Sequence, residues 1–166
     1  MILAPLVFIA SIERRKIRGA ELGFLKSDPM AGALLAGKIL LALIIFSFLL
    51  SFIFTLLQVN DLGKVEGAIA GVLSTSPLWM AYFLIVRVFT EEFFFRSFLV
   101  PRIGVVGSSV AFAISHVGYG SIAEILGAFV LGGILAIAYR DSGKITPNYI
   151  AHMLYNVFAI GIFSAF

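Results

Sequence analysis

Residues 77–100 read PLWMAYFLIVRVFTEEFFFRSFLV, an apolar run that carries Glu91, Glu92 and Arg96 in its interior. Hydrocarbon solvates charge poorly, so ionisable groups at such a depth face other helices or a water-filled cavity and mark a functional site by default. The rest of the chain has the composition of a protein whose solvent is lipid. Of its 166 residues, 61% are apolar and 13% charged, where soluble proteins carry about 25% charged residues; the mean hydropathy is +1.08. The fold class expected is all-α, because a spanning strand needs barrel closure and period-two alternation, and neither is present.

Working outward from 77–100, further apolar runs long enough to approach the thickness of a bilayer, which takes about 20 helical residues, occur at 31–59, 122–139 and 149–166. The run 105–117 is short and needs tilt or shelter within the bundle. The run 1–12 is shorter still and ends at Glu13, Arg14, Arg15 and Lys16, the reverse of a secretory signal, in which basic residues come first. The expectation is a polytopic bundle of about six helices forming one membrane-embedded domain, 1–166. Helix starts are marked by a capping residue followed by proline at Asp28–Pro29, Ser76–Pro77 and Thr146–Pro147, since proline at the first helical position loses no hydrogen bond. Asp141, Ser142 and Gly143 make a turn between the last two runs.

The net charge of +3 resides mostly in loops. No basic stripe with interleaved aromatics lies outside the spans, so nucleic acid is not an expected partner; the bilayer is. Cysteine is absent, which excludes disulfides and thiolate chemistry. Lysine and arginine in short loops favour the cytoplasmic side. Arg14, Arg15, Lys16, Arg18, Lys26, Arg102, Arg140 and Lys144 fall at one end of the alternating spans and Lys64 alone at the other. With a rise of 1.5 Å per residue, Glu91 lies about 14 Å, His116 about 18 Å, His152 about 9 Å and Asn156 about 15 Å from the basic end. Four polar groups thus share a layer and could meet in one pocket, which this reading expects to be approached from the cytoplasmic side of a multi-pass cell-membrane protein.

Helical geometry separates the two adjacent acids by about 100° while residues four apart share a face. Glu92 therefore faces Arg96 as a buried ion pair, a structural role. Glu91 points elsewhere, either to Arg87 as its own partner or into the pocket as a general base. His116 and His152 are the only histidines; each alone reads as a packing residue, but both at the depth of a carboxylate read as a site. His152 and Asn156 are four apart, so their N–H groups could donate to one developing oxyanion. Ser115 adjoins His116 in sequence but not on the helix face, which argues against serine catalysis. The cluster Phe93, Phe94, Phe95 and Phe98 reads as packing, with an apolar wall for a substrate as the sharper alternative. Ala128, Gly132 and Ala136 form a small-residue stripe for close helix packing.

Three motifs now stand in order: EExxxR at Glu91 to Arg96, FxxxH at Phe112 to His116, and HxxxN at His152 to Asn156. Together they resemble the CAAX protease and bacteriocin-processing family of intramembrane proteases, also called the CPBP or Abi family, over residues 78–166. The small-residue segment with Gly132, Gly133, Ala136 and Tyr139 is similar to a further core element of that family. The resemblance implies a four-helix catalytic core at 78–166 and an endopeptidase acting on a peptide or a prenylated protein. It implies a water activated by Glu91 and His116, an oxyanion held by His152 and Asn156, and a scaffold of Glu92 with Arg96.

No cofactor is favoured. Zinc is the alternative, with Glu91, His116 and His152 as ligands; against it, Asn156 stands where a chelating pair on the last helix would want a carboxylate or histidine. Rival readings are a proton or cation transporter, which the lack of an inverted repeat disfavours, and a non-catalytic membrane binding or immunity-type protein.

Overall fold

A computed structural model describes residues 3–13, 18–24 and 28–163. Arg14, Arg15, Lys16 and Lys26, used above for orientation, and the last three residues of the final apolar run lie outside them. The described residues are helical with no strand, as the absence of period-two patterning requires. The helices are α1 (Leu3–Ser11), α2 (Pro29–Leu56), α3 (Gly63–Thr75), α4 (77–99), α5 (Val100–Ile114), α6 (Ile122–Ser142) and α7 (Ile145–Phe163), with short 3-10 turns at Gly19–Leu22 and Val117–Tyr119. Pro29–Leu56, Leu78–Tyr119 and Ile122–Ser142 are long and apolar enough to cross a membrane. The chain is an integral membrane protein. α7 is not among those three stretches, because Asn148, His152 and Asn156 dilute its apolar character; Asn148 and His152 are buried against neighbouring helices instead. α3 was not foreseen, since Lys64, Glu66 and its glycines leave no long apolar run.

The caps explain most helix boundaries. Asp28 accepts from the Met30 and Ala31 backbone N–H groups and Ser76 from that of Leu78, each ahead of a proline. α7 begins at Ile145, two residues before the expected first helical position, Pro147. Gly143 ends α6 at φ 65°, in the left-handed region where glycine carries no steric penalty.

α4 is not uniformly α-helical: Tyr82–Arg87 and Glu92–Leu99 are wound as π-turns, a geometry common at functional sites. Gly104, at φ 73° and ψ 179°, breaks the run. Only glycine tolerates that combination readily. The chain reverses there, and the remainder of α5 packs back along α4, with Ser108 Oγ donating to the Phe95 carbonyl at 2.6 Å and the Phe95 and Phe112 rings 5.0 Å apart. The short run 105–117 is thereby sheltered inside the bundle.

The small-residue stripe on α6 does what its composition suggests. A Cβ on Gly132 would lie 2.7 Å from Phe112 Cδ1, so this glycine is what lets α5 and α6 approach. At one end of the bundle the Gly19–Leu22 turn is tied down by Ser97 Oγ donating to the Leu22 carbonyl at 2.5 Å and Ile145 N–H donating to the Gly23 carbonyl at 3.1 Å. Arg102 Nη2 meets Glu13 Oε1 at 2.6 Å at the same end. At the other end Asp61, in the loop after α2, caps α6: its carboxylate accepts from Ser121 Oγ at 2.8 Å, Ile122 N–H at 2.5 Å and Ala123 N–H at 3.2 Å. The Ile122 backbone N–H foremost, with Ser121, Ala123 and the Lys64 charge, holds the Asp61 carboxyl below the usual carboxylate range. Polarity is inverted relative to a soluble protein: Glu92, Arg96, Ser121 and Asn148 have no exposed surface, whereas Leu41, Phe48 and Phe52 of α2 point outward.

Candidate active site

The two glutamates of α4 diverge as helical geometry demands. Glu91 Oε1 accepts from Arg87 Nε at 2.9 Å, one turn earlier, and Arg87 Nη1 reaches the Tyr119 hydroxyl at 3.4 Å. Glu92 faces the opposite way, into a charge cluster sealed from solvent: Arg96 Nη1 lies 3.5 Å from its Oε1, Asn148 Nδ2 3.4 Å from its Oε2, and His152 Nδ1 2.8 Å from its Oε1. The expected Glu92–Arg96 pair is therefore present, but Glu92 also holds a histidine of α7, a link that no spacing within α4 could reveal.

Arg96 spans the centre of the bundle. Its Nη2 donates to the Gly132 carbonyl at 3.4 Å and its guanidinium lies 4.2 Å from the Phe112 ring centroid, a contact that is strengthened where water is excluded. Its Nε and Nη1 have no hydrogen-bond partner, and neither has Asn148 Oδ1. Asn148 Nδ2 meanwhile donates to the Leu135 carbonyl at 2.7 Å, joining α7 to α6.

His116 follows the last turn of α5. Its Nδ1 lies 2.8 Å from the Phe112 carbonyl, which can only accept, so Nδ1 carries the proton and Nε2 the lone pair of the neutral ring. The ring lies tilted against Phe112, centroids 4.6 Å apart, and Phe112 also meets His152 edge-on at 6.0 Å. For His152 the same reasoning makes Nδ1 the donor to Glu92.

Glu91, His116, His152 and Asn156 line one cavity of about 350 Å³, together with Arg87, Tyr119 and Glu124. Glu92 and Arg96 do not line it; with Asn148 they form a buried layer beneath. The walls extend from the polar groups toward the Lys64 end of the bundle, through Phe54, Leu62 and Val65. Among the described residues no three histidine or acidic side chains converge closely enough to hold a metal ion, and Glu91 spends one oxygen on Arg87.

Glu124 escaped sequence reasoning for an instructive reason. Ser121 to Glu124 spells a capping box, in which the glutamate would turn back onto the start of its own helix. Half of the box forms, with Glu124 N–H donating to Ser121 Oγ at 3.0 Å. Asp61 occupies the helix start instead, and the Glu124 carboxylate stands in the cavity within electrostatic reach of His116, Glu91 and Arg87.

Residues 73–158, a stretch that contains all three motifs, match the family described as type II CAAX prenyl endopeptidase Rce1-like. The chain belongs to that family. No curated protein and no solved structure matches it. Membership in the Rce1-like family makes this a membrane protease of CAAX-protease type at the level of the family, and the three motifs on which that resemblance was first read fall on the helices surrounding the cavity. For the Rce1-like chain the interacting partners are, coarsely, the bilayer and a peptide substrate.

Proposed function

We propose that the chain is an intramembrane endopeptidase of glutamate type, acting on a peptide or prenylated protein. Glu91 and His116 take a proton from a water molecule in the cavity, and the resulting hydroxide adds to the scissile carbonyl carbon. The carbonyl electron pair moves onto oxygen, where the N–H groups of His152 and Asn156 receive it. Collapse of that tetrahedral species breaks the C–N bond, and the proton first taken from water passes to the departing amine. Glu92, with Arg96 and Asn148 around it, fixes the His152 ring. General acid–base help contributes about 10²–10⁴-fold, and one oxyanion donor about 3 kcal/mol of barrier.

The observation that carries this reading is the arrival of Glu91, His116, His152 and Asn156 from three separate parts of the chain at one cavity. The His116 tautomer supports it, since Nδ1 is committed to a carbonyl and Nε2 is left as a base. The test uses purified protein in detergent with prenylated and unprenylated peptides, each with and without chelator. Cleavage that survives chelation and disappears in Glu91→Ala is expected. Undiminished hydrolysis by that variant refutes Glu91 as the base, and lasting loss on chelation that zinc restores replaces the mechanism with a metal one.

A further inference from the structure

Two acidic side chains line the cavity, Glu91 and Glu124. The proposed chemistry uses the first and leaves the second without a task. Nor does the fold require it. The start of α6 is capped by Asp61, which accepts from Ser121 Oγ, Ile122 N–H and Ala123 N–H, and by Ser121 Oγ, which accepts from the Glu124 N–H at 3.0 Å. The carboxylate that a capping box would hold against the backbone is thereby released into the cavity.

The cations that could neutralise it are committed elsewhere. Arg87, within its electrostatic reach, donates from Nε to Glu91 Oε1 at 2.9 Å and from Nη1 to the Tyr119 hydroxyl at 3.4 Å, with its guanidinium 5.0 Å from the Phe83 ring centroid. Lys64 Nζ donates to the Gly120 carbonyl at 2.8 Å, and its charge acts on Asp61. His116 has its Nδ1 proton on the Phe112 carbonyl. Among the described residues the Glu124 carboxylate therefore has no ion-pair or hydrogen-bond partner. A half-buried carboxylate in that position has given up part of its hydration without compensation.

The surroundings of Glu124 describe the group that would compensate it. Other walls of the cavity, Phe54, Leu62, Val65 and Leu131 among them, are apolar. Gly127 and Ala128 follow Glu124 on the same face of α6. A Cβ on Gly127 would meet nothing within 4 Å, so the wall beside the carboxylate is recessed. Lysine and arginine side chains combine an aliphatic stem suited to apolar surface with a charged head, and hydrogen bonds between ionised partners are the strong ones.

We propose that Glu124 is a specificity-determining residue, which receives the ammonium or guanidinium head of a lysine or arginine side chain flanking the scissile bond while the stem of that side chain lies along Gly127. This rests on the endopeptidase reading for the cleavage that follows, but not for the binding of the cation.

The test uses the purified full chain and short apolar peptides in which one residue at a time is replaced by lysine or by acetyl-lysine, which keeps the stem and removes the charge. Specificity is read as the ratio of kcat/KM for the two peptides on one preparation, a quantity independent of the folded fraction. At one or two adjacent positions the lysine peptide is expected to be favoured by about 10–100-fold. That ratio should fall toward unity in Glu124→Gln and in Glu124→Ser, the second variant standing in should the first fail to fold. The absence of any position that prefers lysine, or a preference that persists without the carboxylate, overturns the proposal. So does an equal loss for all peptides with the ratio unchanged, which makes Glu124 a carrier of protons instead. The same peptides are also titrated against Glu91→Ala protein, a measurement that needs no turnover. Tighter binding of the lysine peptide there, without cleavage by the native chain, sustains the specificity and refutes the endopeptidase reading; equal Kd values for the two peptides refute the specificity alone.

Discussion

Replacing Glu92 by glutamine keeps the shape of a side chain with no exposed surface while removing its charge. The Arg96 guanidinium, 3.5 Å away and equally buried, then has no counter-charge, and its Nε and Nη1 already lack hydrogen bonds. Breaking a buried ion pair by removing one partner costs about 3–5 kcal/mol, whereas replacing both partners by neutral groups of similar volume is often neutral or stabilising. Glu92→Gln should therefore lose about 3–5 kcal/mol and the double variant Glu92→Gln, Arg96→Met should recover most of that loss. Activity should not recover with it, because His152 Nδ1 keeps no carboxylate at 2.8 Å to fix its ring; a missing oxyanion donor costs about 3 kcal/mol, on the order of 10²-fold in kcat. The assay pairs SDS titration of the protein in mixed micelles with peptide cleavage at matched folded fraction. A double variant no more stable than Glu92→Gln refutes the charge-compensation argument, and one that regains full activity refutes the role of the Glu92–His152 contact.

Glu91→Gln and His116→Ala should each lower cleavage by about 10²–10⁴-fold with little change in unfolding midpoint; variants that cleave normally remove that residue from the chemistry. Gly132→Ala puts a methyl group 2.7 Å from Phe112 Cδ1, a ring held between Phe95, Arg96 and His116. Overpacking strain of about 1–3 kcal/mol outweighs the gain in helix propensity of at most about 1 kcal/mol, so the unfolding midpoint should fall, and a midpoint that rises contradicts the packing. Asp61 has a folded-state pKa below its unfolded one, so its contribution to stability is full above the unfolded value of about 3.9 and disappears as pH falls through the folded value. Asp61→Asn should flatten the acid limb of the stability profile, and an unchanged limb would discount the cap.

Much of this was legible because the period of a helix and the cost of buried charge are local facts. The Glu91–Glu92 divergence, the Glu92–Arg96 pair, the Asp28 and Ser76 caps and the small-residue stripe follow from residues a few positions apart. What the sequence did not show depends on distant partners. Glu92 finds His152 sixty residues away, and Asp61 displaces Glu124 from its own helix start. α3 was missed because its polar and glycine content hides it from any search for apolar runs. The reversal at Gly104 was implied by the short run 105–117, but in the sequence alone that glycine is one of sixteen.

The sealed layer of Glu92, Arg96 and Asn148 also constrains biosynthesis. α4 leaves the ribosome well before α7, and a charge at the middle of a lone helix costs about 2.5–3.5 kcal/mol on insertion scales. Until Phe112 and Gly132, and then Asn148 and His152, arrive, the glutamate and arginine have only each other in lipid. The nascent chain is thus least at home in the bilayer during synthesis of its second half, and quality-control factors that bind exposed intramembrane charge would meet it there, before the docking of the last helix hides the signal.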